Sequence, residues 1–262
     1  MSKSFFREST RLLLTTVLLF GSQFTLAKSV LAQPTPTGTI IPNTVSGSFE
    51  GVTSVTSDTL TSNSVTFTVT APIASNPKLL LVKRITAING VAITNVVDDG
   101  VPSSADDNVN WVTGYLQGDI TRNDIKPSDR LEYTIYFLSA GDVDITNVTI
   151  CDLIPPNTTF VGNAYDVVGG GSNLGMVFAN STPITYLTGL FDSDRGQFYS
   201  AGSLPPSTCK QPTTNNALTA ADNTDGLVVV NVVSTPTNLP KATGVGTPTN
   251  SYGFVRFQVQ VK

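Results

Sequence analysis

Residues 130–138 read RLEYTIYFL and, after a turn through Ser139, Ala140, Gly141 and Asp142, residues 145–150 read ITNVTI. In the first segment Leu131, Tyr133, Ile135 and Phe137 fall on one side and Glu132, Thr134 and Tyr136 on the other, the period-two pattern of a half-buried strand. The second segment is expected to return as its hairpin partner. The same alternation recurs at 252–261 (YGFVRFQVQV), where Val255, Phe257, Val259 and Val261 form a core face, and at 64–71 (SVTFTVTA), where Val65, Phe67 and Val69 oppose threonines. Residues 79–85 (LLLVKRI) are apolar on both faces until Lys83, which marks a central strand, and 227–233 (LVVVNVV) is a further one. No segment has helical period for more than a turn or two. Many short strands without βα alternation predict an all-β, immunoglobulin-like antiparallel β-sandwich with long loop insertions, at 98–129 and 205–225.

The N-terminus carries Lys3, Arg7 and Arg11, then an apolar run over 12–20 broken by Gly21, Ser22 and Gln23, then Val30, Leu31 and Ala32 before Gln33. That is the order of a cleavable signal peptide over 1–32, and the run is too short for a spanning helix, which needs about 20 apolar residues. A Pro/Thr-rich lead-in with N-terminal strands follows over 33–76, and the sandwich over 77–262. Cleavage removes four cations (Lys3, Arg7, Arg11, Lys28) and one acid (Glu8), taking the net charge from −4 to about −7. Such a surface repels phosphate backbones, so nucleic acid is a poor candidate partner and none is expected. Charged residues are only 13% of the chain, so the surface is polar mainly through Thr, Asn and Ser.

Cys151 and Cys209 are the only cysteines, and in an oxidising compartment they are expected to pair. The chain contains no histidine, which removes Ser-His-Asp and Cys-His catalysis and every histidine-bearing zinc site. Gly169, Gly170 and Gly171 lack a following Lys-Ser/Thr and read as a loop tip. The acidic loops are better suited to a hard cation than to acid–base work. Asp98, Asp99, Asp106 and Asp107 in one stretch and Asp192 and Asp194 in another offer oxygen ligands for calcium, though neither follows the EF-hand spacing. The alternative is that these loops are simply solvated. No cofactor other than calcium is expected.

The run from Pro127 through Leu131, Tyr133 and Ile135, the turn at Gly141, Asn147 and Val148, Asp152, Pro155 and Phe160 resembles the bacterial surface-protein repeat known as domain of unknown function eleven. Ile41, Pro42, Asn43 and Thr44, the strand at 79–85, and Asn250 to Phe254 look like a cyanobacterial exported subgroup of it. The resemblance implies an immunoglobulin-like sandwich in secreted or envelope proteins without an assigned activity. One departure is Ser139-Ala140 where many repeats carry Asn before the hairpin glycine.

Lys83 in an apolar strand, Asn250 before the last strand, and Asp152 on the inward parity of Val148 and Ile150 are the residue set for an intramolecular isopeptide bond. Glu132 has the wrong parity for such a role. Against this stands the simpler reading, that Lys83 marks a strand end and snorkels to water while Asp152 caps the turn before Pro155. No sorting motif is read after the last strand, and no transmembrane anchor is expected after signal cleavage. The expectation is a non-enzymatic exported structural or adhesion-type module in the periplasm, at the surface or outside the cell, with an unidentified protein or glycan partner. The competing class is a calcium- or glycan-binding module using loops 98–111 and 192–196.

Overall fold

The computed structural model describes residues 45–51, 57–61, 76–180, 183–233 and 237–262. The expected signal segment over 1–32 and the alternating stretch at 64–71 lie outside the described residues. In chain order the strands are β1 (Ser46–Gly51), β2 (Ser57–Thr61), β3 (Leu79–Ile88), β4 (Val91–Ala92), β5 (Arg130–Ser139), β6 (Ile145–Leu153) and β7 (Thr158–Phe160). A single helical turn, α1 (Asp166–Gly169), precedes β8 (Leu174–Asn180), β9 (Thr185–Thr188), β10 (Gly196–Tyr199), β11 (Leu227–Asn231), β12 (Asn238–Leu239) and β13 (Tyr252–Val261).

These strands form two antiparallel sheets. One runs β10-β11-β6-β1-β2, with β12 also beside β6; the other runs β4-β3-β5-β13-β8-β9, with β7 also beside β13. The expected alternation holds on β5 and β13: Leu131, Tyr133, Ile135, Phe137, Val255, Phe257, Val259 and Val261 all enter the core between the sheets. They meet Val148, Ile150, Val228 and Val230 from the opposite sheet. The expected lead-in supplies β1, which pairs with β6 from Ser46 opposite Cys151 to Gly51 opposite Ile145, so it is part of the sandwich. A register shift between Ser48 and Glu50 accompanies Asn147 at φ 53°, a left-handed conformation that Asn tolerates better than most residues.

The hairpin expected between 130–138 and 145–150 does not form. Both edges of β5 are occupied, by β3 and by β13, so the chain after Ser139 crosses to the other sheet and β6 pairs with β1, β11 and β12 instead. The crossing is anchored by its acids. Asp142 accepts the Asn76 amide, and Asp144 accepts from Asn238 and from the Lys241 amide at 2.7 and 2.9 Å.

Both long insertions fold back as outer layers. Residues 98–118 cover the outside of β3 and β5, where Ala105, Trp111 and Leu116 pack with Leu80, Val82, Tyr136 and Leu138. This explains a strand that is apolar on both faces while lying next to the sheet edge. Gly118 allows the approach: with φ +110°, a Cβ there would sit 2.6 Å from the Ile85 carbonyl oxygen. On the other sheet, Cys209 and Leu218 pack on Leu227 and Val229, and the Cys151–Cys209 disulfide fastens that layer to β6 near its C-terminal end.

Closing a loop of 58 residues stabilises by about 4 kcal/mol in the chain-entropy view. Replacing both cysteines by serine should therefore lower the unfolding free energy by about 3–4 kcal/mol in denaturant titration. Gly118→Ala should cost about 2 kcal/mol or more by the same assay, because both the space and the backbone conformation refuse a side chain.

Candidate functional site

Alternation along β3 turns Leu79, Leu81, Lys83 and Ile85 toward the facing sheet, and alternation along β6 does the same for Val148, Ile150, Asp152 and Ile154. Lys83 and Asp152 therefore meet between the sheets. Lys83 Nζ contacts Asp152 Oδ2, with side-chain exposures of 2% and 0%. The strand does not end at Lys83 but continues to Ile88, so the side chain has no route by which to snorkel to water. Two aromatic rings flank the ammonium: Nζ lies 4.7 Å from the Tyr133 ring centroid and 5.4 Å from that of Phe257.

Burial dominates the proton chemistry of both partners. It lowers the Lys83 ammonium to about 8, with Asp152 pulling the other way, and it raises the Asp152 carboxyl to about 6, opposed by Lys83. Each charge is disfavoured by the apolar interior and retained by the other. Among the described residues Asp152 Oδ1 accepts no hydrogen bond. Neither group reaches solvent, so the pair can act on the protein itself and not on a diffusing substrate.

Of the three residues expected to share an isopeptide site, the structure brings two together. Asn250 is exposed in the turn before β13, five positions along the chain from Val255, which lies in the same row as Lys83 through Ile135. Glu132 points outward, as its parity implies, and joins Thr86, Tyr165 and Arg256 on the outer face.

The expected calcium ligands are engaged locally. Asp98 and Asp99 each accept the backbone N–H two residues on, from Gly100 and Val101 at 2.6 and 2.8 Å. Asp107 accepts from the Ser104 amide. Asp106 pairs with the buried Arg84 of β3; burial opposes its charge, but Ser104 and Arg84 outweigh that and hold the carboxyl below its ordinary value. Asp192 accepts from the Thr188 hydroxyl at 2.6 Å and the Asp194 amide at 2.9 Å, and Asp194 from the amides of Thr188 and Gly196. Among the described residues no group of three or more acids, cysteines or histidines could hold a metal ion.

Trp111 is 7% exposed and donates its ring N–H to the Ala105 carbonyl at 2.8 Å, so it belongs to the outer core layer. A surface aromatic site lies elsewhere. Phe160 and Phe198 stack at 4.4 Å and, with Asn163, Asn173 and Leu190, line an open hollow of about 430 Å³. Its one legible signal is the set of glycines that admit the rings: a Cβ at Gly175 would lie 2.5 Å from Phe160, and one at Gly226 would lie 2.6 Å from Phe198.

Comparison with known protein families, curated proteins and solved structures finds no match to this chain. Function is therefore inferred from the chain itself.

Removing one member of the buried pair strands the other. Asp152→Ala and Lys83→Ala should each destabilise the fold by about 3–5 kcal/mol, whereas Asp98→Ala, exposed in its loop, should change stability by less than about 1 kcal/mol. Parallel denaturant titrations of the three variants check the contrast.

Proposed function

We propose that this chain is a non-enzymatic, exported structural or adhesion-type module of the cell envelope or surface, built as a variant of the immunoglobulin-like sandwich. The observation that carries the proposal is where its chemistry sits. The most reactive pair, Lys83 and Asp152, is sealed between the sheets, and the acidic loops spend their carboxylates on their own backbone. Both long insertions reinforce the sheets. A Cys151–Cys209 disulfide is favoured in an oxidising compartment, in keeping with the signal-like N-terminus and the resemblance to exported surface repeats.

A protein of this kind acts through contact. Leu190 and Phe191 are 52% and 68% exposed; Leu190 lines the Phe160–Phe198 hollow, and this is the apolar surface on which a protein or glycan partner would rest.

Expression of the full chain in a bacterium with a periplasm tests the address. The protein should fractionate outside the cytoplasm with Cys151 and Cys209 oxidised; recovery in the cytoplasm with both thiols free would contradict it. The calcium-binding alternative has its own readout. A calcium ion at a hundred times its dissociation constant adds about 2.7 kcal/mol, or roughly 5–10 °C for a chain of this size. The melting midpoint should instead be unchanged between millimolar calcium and chelator.

A further inference from the structure

We infer that Lys83 and Asp152 condense into an amide, a permanent covalent tie from β3 to β6 that joins the two sheets through the core. The expected acyl donor was Asn250, with Asp152 as a helper. The geometry instead puts a carboxyl carbon beside the lysine nitrogen and leaves Asn250 at the surface.

The step balances within the pair. The amine lone pair adds to Asp152 Cγ, the Nζ–Cγ bond forms, and one Cγ–O bond breaks. Of the three protons on the starting ammonium, one stays on the amide nitrogen and two leave with the oxygen as water. No electrons are exchanged and no co-reactant is consumed.

Three features favour it. Fixed juxtaposition supplies an effective concentration on the order of 10⁵–10⁸ M for well-oriented groups. Burial presses both groups toward the neutral amine and neutral acid that react, lowering Lys83 to about 8 and raising Asp152 to about 6. The product is also better suited to its surroundings than the reactants: a neutral amide replaces two desolvated charges, and one carboxylate oxygen is removed from a site where Oδ1 accepts no hydrogen bond among the described residues. The Tyr133 and Phe257 rings that wall the site shield the bond from hydrolysis.

Position gives the bond a mechanical meaning. Asp152 is tied inward to β3, and its neighbour Cys151 is tied outward to Cys209. Tension entering at Lys83 would pass through two covalent bonds and leave at Cys209, sparing every strand between them. The amide would form wherever the chain folds, so a cytoplasmic location would overturn the proposed address and leave this inference standing.

Intact-mass measurement of the purified full chain, reduced to open the disulfide, decides the question. The protein should be one water lighter than the sequence counted from its recovered N-terminal residue, and trypsin should release a branched species joining residues 79–84 to residues 131–195, since an amidated Lys83 resists cleavage. Lys83→Arg keeps a cation but loses the nucleophile and should show no loss of water. A wild-type mass without the loss, or a loss without the branched peptide, would overturn the inference whether or not the variant folds.

Discussion

The contact between Lys83 and Asp152 is the constraint around which the sandwich is arranged. A lysine and an aspartate facing each other across an otherwise apolar core hold only if both sheets keep their register, because a slip of one residue in either strand would turn one charge to the outside and leave the other alone in hydrocarbon. The same alternation that buries Asp152 turns Cys151 outward, where the disulfide secures the outer layer. Two successive residues of β6 thus connect three layers: the facing sheet, their own sheet, and the insertion that covers it.

The insertions account for an unusual composition. In a chain with few charges and many Thr, Asn and Ser residues, the acids that remain are spent on turns: Asp98, Asp99, Asp192 and Asp194 satisfy backbone N–H groups where loops reverse. Asp106 serves differently, meeting Arg84 beneath the outer layer. The acids that read as a ligand set in sequence also supply the local hydrogen bonds that shape these turns.

Much of the fold was legible from periodicity. Alternation on β5 and β13 identified the inward residues, and parity alone placed Asp152 inside and Glu132 outside. The hairpin was not legible, because a strand-turn-strand pattern specifies two strands and a reversal but not whether the second joins the first or crosses to another sheet. Lys83 misled for a related reason: a cation after four apolar residues looks like a strand end unless its partner on a distant strand is known. Trp111 and the 98–118 stretch looked like polar loop because their burial depends on Leu80 and Val82, which lie outside the insertion. Phe160 and Phe198 became a site only when their rings met from β7 in one sheet and β10 in the other, a juxtaposition no local pattern contains.

The central claim is that the two sheets are covalently tied through their core. It is tested most directly by pulling single full-length molecules from their ends under reducing conditions, with the disulfide open. With the tie in place, the 69 residues from Lys83 to Asp152 stay out of the extended chain, and the contour length released falls short by roughly 240 Å at the usual span per extended residue. Release of the whole contour length would show that Lys83 and Asp152 separate as ions, and would contradict the claim.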